Sequence, residues 1–222
     1  MKYRFLIKNN FCFSKLVVIF FFGYNQFLIG RSDVIDIVRD EKGNIFSIEY
    51  YNKVSKKLKL LKLETFHSNG HVSKLESFSS GSKNGVYQEF YNNGNIKIDG
   101  QYNNGNKSGL WAEYFRNGKT MKLFYANKNG RNGTISEWYK NGKKKILGAY
   151  FQGQKHGLWT AWYSNGVKET LITYKHGKEE GVFSYFYDNG NKKSEGTVSY
   201  KGQKEQRCWD IHGDTHNCAE NN

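Results

Sequence analysis

The chain has 222 residues, enough for one ordinary domain or two small ones. Aromatic residues make up 17% of it and proline is absent, which excludes a disordered, proline-rich or collagen-like chain. Lys and Arg number 34 against 20 Asp and Glu, so the net charge of +14 makes polyanions and anionic membranes candidate partners without singling one out.

The N-terminal segment, residues 1–30, differs in composition from the rest of the chain. Four basic residues precede the apolar run 16–22, and no acidic residue occurs before Asp33. A basic region followed by a short apolar run is typical of a secretory signal, and this run is too short for a comfortable membrane span. We therefore predict a signal peptide or signal anchor, and a protein that is exported to the periplasm, displayed at the cell surface or secreted.

Residues 31–65 match poorly the 24-residue repeat that is found further along the chain. Phe46 and Tyr50-Tyr51 are placed as in a decayed repeat, and five lysines lie between positions 53 and 62. We interpret this segment as an N-terminal cap with a degenerate repeat.

Residues 66–203 form a repeat array with a period of 24 residues. The period is marked by the pairs Asn69-Gly70, Asn93-Gly94, Asn117-Gly118, Asn141-Gly142, Asn165-Gly166 and Asn189-Gly190. A second glycine recurs at 85, 109, 133, 157 and 181. Aromatic residues fill three further columns, and Ile135 is an exception in one of them.

Each Asn-Gly pair predicts a β-hairpin with a type I′ turn, in which both residues take positive φ. The second glycine cluster, as at Gly105 to Gly109, is expected to form the return turn to the next hairpin. Period-two patterning without helical spacing predicts an all-β fold, an elongated twisted antiparallel β-meander of 24-residue hairpins. Six units of two strands would extend about 60 Å. An extra residue before Gly130 predicts a bulge there.

Two blocks of the array, 107–119 and 155–166, read KSGLWAEYFRNGK and KHGLWTAWYSNG. They resemble the MORN-repeat variant of bacterial proteins, and the resemblance covers about residues 66–203. It implies a repeat sheet that serves as a scaffold for protein contacts or membrane association. The family is commonly labelled as YwqK-type antitoxins of toxin–antitoxin systems, which implies an alternative function: binding and neutralising a toxin partner.

The C-terminal segment, 204–222, contains two cysteines that are symmetric about Gly213. A hairpin loop at 212–214 would place Cys208 directly opposite Cys218, and a disulfide between them fits an exported protein. We interpret the segment as a capping hairpin and tail.

A metal site is the alternative use of the same segment, because His212 and His216 could join the two cysteines as ligands. Their spacing matches no common zinc motif, which favours the disulfide, and we expect neither a metal nor a cofactor.

Catalytic motifs are absent from the sequence, which contains no nucleophile elbow, phosphate-binding loop or zinc-protease motif. Glu89, Glu113 and Glu137 recur in one column, whereas catalysis needs unlike groups that converge on one point. The sequence therefore predicts a protein that is not an enzyme.

The candidate binding surface consists of aromatic and basic columns. Its residues are Trp111, Trp138, Trp159, Trp162, Lys97, Lys119, Lys144, Lys168 and Lys192. Such a surface fits an unidentified protein partner or an anionic membrane lipid surface, and it also fits a solvated face that prevents aggregation. No nucleic-acid-binding module is recognisable, so we expect no nucleic-acid partner, while open strand edges permit edge-to-edge self-association.

The function favoured by the sequence is a non-enzymatic repeat scaffold that is located in the cell envelope or secreted. An antitoxin or immunity protein is the alternative.

Overall fold

The computed structural model describes residues 34–218 and, for the backbone alone, residues 3–8. Within these ranges the chain forms one 17-stranded sheet and no α-helix. The strands are β1 (Tyr3–Lys8), β2 (Val34–Arg39), β3 (Ile45–Val54), β4 (Lys57–Phe66), β5 (Val72–Ser79), β6 (Ser82–Phe90), β7 (Ile96–Asn103), β8 (Asn106–Tyr114), β9 (Thr120–Asn127), β10 (Gly130–Trp138), β11 (Lys144–Phe151), β12 (Gln154–Trp162), β13 (Lys168–Lys175), β14 (Lys178–Phe186), β15 (Lys192–Val198), β16 (Lys204–Trp209) and β17 (Thr215–His216).

Every strand pairs antiparallel with the next strand in the sequence, from β1 with β2 to β16 with β17. The predicted all-β meander of hairpins is therefore confirmed. Its open, one-layer design leaves two faces, and the sequence pattern decides which of them becomes the core.

The Asn-Gly pairs lie in turns, but these are not type I′ turns. At Asn141-Gly142, the amide of Gly142 donates to the carbonyl of Tyr139 at 2.8 Å, and the amide of Tyr139 donates to the carbonyl of Lys143 at 2.9 Å. Gly142 has φ +90°, whereas Asn141 is not among the residues with positive φ. The loop is therefore a three-residue type I turn that ends in a glycine bulge.

The type I′ prediction for these pairs is wrong because Asn uses its side chain rather than a left-handed backbone. Asn141 Oδ1 accepts a hydrogen bond from the amide of Lys143 at 3.0 Å, which holds the turn. Type I′ geometry occurs instead in four return turns of the array, where both central residues have positive φ, whereas the return turn between β9 and β10 has positive φ only at Gly130. The four pairs are Ser80-Gly81, Asn104-Gly105, Gln152-Gly153 and His176-Gly177.

The second glycine column lies inside the strands, not in the return turns. Asp99 pairs with Ala112, but Gln101 pairs with Ser108, so Gly109 occupies a bulge in β8, with φ +73°. The prediction of a bulge before Gly130 is wrong, because the strand register does not shift there. Gly130 pairs with Asn127 in the same register as Asn106 with Asn103, and the shift in β10 follows Arg131 as in the other repeats.

The core is a row of side chains on one face of the sheet, which we call the ring face. The row crosses the strands through Tyr87, Gly100, Trp111, Phe124, Ile135, Gly148, Trp159, Ile172 and Phe183. Trp111 covers Gly100 and Trp159 covers Gly148, each on the preceding strand. In the repeat between them, Phe124 stands at the position of these glycines and pairs with Ile135, which is smaller than Trp. The missing aromatic at Ile135 is thus compensated one strand earlier, and Ile135 is 2% exposed.

Side chains of one turn also bond to the backbone of the next turn along the array. Tyr139 donates its hydroxyl to the carbonyl of Trp162 at 2.7 Å, and Asn141 donates its side-chain amide to the carbonyl of Ser164 at 2.9 Å. The asparagine therefore stabilises its own turn and joins neighbouring repeats.

The N-terminal residues that are described continue the sheet, because β1 pairs with β2 over six residues. The apolar run 16–22 lies outside the described residues, so the signal segment stays a prediction. In the part of the chain that is described, no helix could cross a membrane.

At the C-terminus a disulfide joins Cys208 and Cys218, whose Cα atoms lie 5.2 Å apart. The hairpin loop predicted at 212–214 is wrong by one position: Cys208 pairs across the strands with His216, and the loop is closed between Asp210 and Asp214. Asp210 causes this shift, since its carboxylate accepts hydrogen bonds from three amides of the loop. Residues 34–218 contain no cluster of three or more potential metal ligands.

Candidate binding surface

The tryptophans of the predicted surface are divided between the two faces of the sheet. Trp111 and Trp159 lie in the ring-face core and are only 1% and 8% exposed. Trp138 and Trp162 end their strands on the opposite side, which we call the open face, and both are partly exposed. Only the second pair can offer a ring to another molecule.

The predicted lysines also differ in their surroundings. Lys144 pairs across the strands with Trp138, and Lys168 pairs with Trp162, so both accompany the accessible rings. Lys144 Nζ lies 5.9 Å from the centroid of the Trp162 ring, within reach of a cation–π contact.

Two other predicted lysines are already neutralised by carboxylates. Lys97 Nζ lies 3.2 Å from Glu89 Oε2, and Lys192 Nζ lies 2.6 Å from Glu195 Oε2. These exposed pairs contribute little stability, but they leave less charge for a partner than Lys144 and Lys168 do.

Lys119 borders a shallow, open depression at the turn edge of the open face. Gly118, Thr120, Leu123, Trp138 and Gly142 complete its lining. The depression brings the Trp138 ring and an ammonium group together where two successive Asn-Gly turns adjoin.

An exposed apolar stripe on the open face was missed by the sequence prediction. Leu110, Leu158 and Val182 are 48%, 54% and 59% exposed, and each follows a bulge glycine. Leu147, which pairs with Thr160 on the same face, is also exposed. The signal was present in the sequence: strand parity places these residues opposite the buried aromatic column, so they must face outward.

On the ring face, by contrast, most acidic groups are paired. Glu76 is 4% exposed and forms two ion pairs. Its Oε2 lies 3.0 Å from Lys74 Nζ, and its Oε1 lies 2.7 Å from Lys83 Nζ. Burial raises the pKa of Glu76, but the hydrogen bonds and charges of the two lysines outweigh it, so the pKa lies below its usual value. Glu137 pairs with Lys122 at 2.7 Å.

Tyrosines of the ring face are held in their neutral form. Burial, with the nearby carboxylate of Glu89 as the hydrogen-bond acceptor, raises the pKa of Tyr87. Burial and Glu179 raise the pKa of Tyr174 to about 12. These phenols act as hydrogen-bonding and packing groups at neutral pH.

Three segments of the chain match the MORN repeat variant, residues 83–104, 155–176 and 179–199. The chain contains MORN-variant repeats. Each matched segment spans one outgoing strand, one Asn-Gly turn and one return strand, as in β6–β7, β12–β13 and β14–β15. The two hairpins between them, β8–β9 and β10–β11, have the same strand pairing. None of the curated proteins compared with the chain matches it.

Proposed function

We propose that this chain is a non-enzymatic repeat scaffold that is exported to the cell envelope or secreted and binds a protein partner through its open face. The observation that carries the proposal is the stripe of Leu110, Leu158 and Val182, which remains about half exposed although the sheet has a buried face available. Leu158 and Val182 are two strands apart, and Thr134 separates them from Leu110 in the same column. Exposed apolar side chains on one face favour an interaction surface, since burying one Leu or Val is favourable by about 1.5–3 kcal/mol.

The edge of this stripe is suited to an acidic partner. Lys144 and Lys168 pair with tryptophans rather than with carboxylates, and Lys119 lies at the neighbouring depression. An apolar centre with a cationic rim is the composition expected of a protein interface.

A protein partner fits the shape of the sheet better than an anionic bilayer does. Neighbouring strands rotate by about 20° relative to each other, so the stripe turns through about 120° between β8 and β14. A flat membrane can contact only a few strands of such a surface, whereas a protein can follow it.

Export is supported by two features of the chain. The basic residues before the apolar run 16–22 are typical of a secretory signal, and the disulfide Cys208–Cys218 suits an oxidising compartment. The absence of catalysis is supported by the acidic column, whose members Glu89 and Glu137 are paired with lysines and do not converge with a nucleophile.

The test is a comparison of two variants of β12 in which a carboxylate is added at different places. Leu158→Glu places it in the stripe, whereas Gln154→Glu places it in the same strand at the exposed return turn. We expect that full-length protein carrying Leu158→Glu loses its crosslinked partner in native envelope fractions, while Gln154→Glu keeps it.

Anionic and neutral vesicles provide the second arm of this experiment. Binding of the purified chain to anionic vesicles that is abolished by Leu158→Glu would overturn the protein-partner proposal in favour of a membrane surface. Recovery of the intact chain from the cytosol with a toxic partner would favour the antitoxin alternative.

A further inference from the structure

Three cations in a row on the ring face form no ion pair with a carboxylate among the residues that the structure describes. Lys107, Arg131 and Lys155 occupy the same position in three successive repeats, two residues before the bulge glycine. We call these three residues the cation row. Lysines elsewhere on the ring face, such as Lys74 and Lys122, form ion pairs, but within residues 34–218 no ion pair joins a member of the cation row to a carboxylate.

Aromatic rings hold each member of the row in place. Lys107 Nζ lies 4.0 Å from the centroid of the Trp111 ring, and the Arg131 guanidinium carbon lies 5.1 Å from that of Phe124. Lys155 Nζ lies 4.6 Å from Trp159 and 4.5 Å from Tyr174. Because the rings are part of the core, they restrict the cations before any ligand arrives, which reduces the entropy lost on binding.

The ammonium group of Lys107 is partly removed from water, and its pKa is lower than the ordinary value. Desolvation by burial is the main cause of this shift; the carboxylate of Glu113 raises the pKa of Lys107, the charge of Arg131 lowers it, and Glu89 raises it. An anion bound beside Lys107 would stabilise its charged form against this desolvation.

The row has defined ends. In the preceding repeat the equivalent residue is Lys83, which is neutralised by Glu76 at 2.7 Å. In the following repeat the position is occupied by Glu179. Three charges therefore remain, and since successive members are two strands apart, they are spaced at about 9.6 Å.

We propose that the cation row binds a linear acidic polysaccharide that carries one anionic group on every second sugar. The distance between its charges is comparable to the two-strand spacing of about 9.6 Å, so each anion can meet one cation as the polymer crosses the strands. The Tyr150 hydroxyl lies between Arg131 and Lys155, 3.4 Å from Arg131 Nη1, and is a group that can also hydrogen-bond to a sugar hydroxyl. Ala126 occupies the equivalent place between Lys107 and Arg131.

Polymers with denser charge fit the row less well. Nucleic acids and polyphosphate carry a charge on every unit, so most of their anions would find no cation in a row with a spacing of about 9.6 Å. The ring face and the apolar stripe lie on opposite sides of the sheet. A test of polysaccharide binding is therefore independent of a test of the proposed protein partner.

The experiment is titration calorimetry of the full-length protein at physiological salt with hyaluronan oligosaccharides, which carry one carboxylate per disaccharide. Neutral dextran and polyphosphate are the comparison polymers. We expect hyaluronan to bind, dextran not to bind, and the triple variant Lys107→Gln/Arg131→Gln/Lys155→Gln to bind at least about tenfold more weakly.

A matched variant removes the same charge from the other side of the molecule. Lys119→Gln/Lys144→Gln/Lys168→Gln should bind hyaluronan as the wild type does. Equal losses in the two triple variants, or tighter binding of polyphosphate than of hyaluronan, would overturn the proposal, because either result means attraction by net charge alone.

A gain-of-function variant keeps the test decisive if the triple variant fails to fold. Glu179→Lys extends the row from three to four cations at the same spacing. We expect it to bind long hyaluronan oligosaccharides several-fold more tightly than the wild type, and unchanged or weaker binding would contradict the proposed register.

Discussion

The indole of Trp159 lies directly against Gly148 on the neighbouring strand. A Cβ atom at Gly148 would lie 2.3 Å from Trp159 Cδ2, far inside van der Waals contact. Gly100 and Trp111 repeat this relationship two hairpins earlier, with a distance of 2.4 Å. A one-layer sheet can bury these indoles only because the glycine leaves room for the ring to lie flat on the preceding strand.

Gly148→Ala is expected to destabilise the protein by about 1–3 kcal/mol, as overpacking of a filled core does. Trp159→Ala should cost about 3–5 kcal/mol through the cavity that it leaves. In the double variant the alanine methyl group no longer meets a ring, so the two effects should be less than additive in urea unfolding. Full additivity would show that Gly148 and Trp159 are not in contact.

Phe115→Tyr is expected to stabilise the array by about 0.5–1.5 kcal/mol. The equivalent tyrosines donate their hydroxyls to the carbonyl 23 residues later: Tyr91 to Tyr114 at 2.8 Å, Tyr139 to Trp162 at 2.7 Å and Tyr163 to Phe186 at 2.7 Å. Phe115 lacks the hydroxyl and interrupts this series. Thermal unfolding of Phe115→Tyr and of the matched deletion Tyr139→Phe should shift in opposite directions. A shift in the same direction would show that the hydroxyl bonds add no stability.

The pairing of Glu76 with Lys74 and Lys83 predicts a loss of stability in acid. Because its folded pKa is lower than the ordinary 4.5, the contribution of Glu76 is complete above pH 4.5 and disappears as the pH falls through the folded pKa. Glu76→Gln should lower stability at pH 7 by about 1 kcal/mol, a small value because both lysines are partly solvated. The difference between variant and wild type should shrink below pH 4.5 in denaturant titrations, and a difference independent of pH would contradict the assignment.

Removal of the disulfide should affect only one end of the sheet. A cross-link between residues ten apart stabilises by about 2–3 kcal/mol in the loop-entropy description. Repeats interact only with their neighbours, so Cys208→Ser/Cys218→Ser should speed hydrogen exchange in β15 to β17 and leave β8 to β12 unchanged. Faster exchange throughout the array would show a globally cooperative fold.

The repeat sheet was predictable from the sequence because individual residue types mark both its 24-residue period and the two faces of each strand. The Asn-Gly spacing located the hairpins, and alternation along β12 separated Trp159 from Leu158. The same parity also requires Leu158 to face solvent, but the prediction grouped four tryptophans, Trp111, Trp138, Trp159 and Trp162, into one surface.

Features that depend on distances between side chains and neighbouring backbone were not predictable. The type I′ prediction failed because Asn141 bonds to Lys143 and to the next repeat, which no pattern within one hairpin reveals. The compensation of Ile135 by Phe124 required the strand register, and so did the location of the bulge at Gly109.

The proposed protein-binding surface depends on the division of the tryptophans between a buried set on the ring face and an accessible set on the open face, and tryptophan labelling tests this division most directly. The folded chain is treated with a tryptophan-oxidising reagent, and modification of each residue is quantified by tandem mass spectrometry. We expect Trp138 and Trp162 to be modified while Trp111 and Trp159, at 1% and 8% exposure, stay protected until the protein unfolds. Modification of Trp159 as fast as that of Trp162, three residues away, would contradict the account.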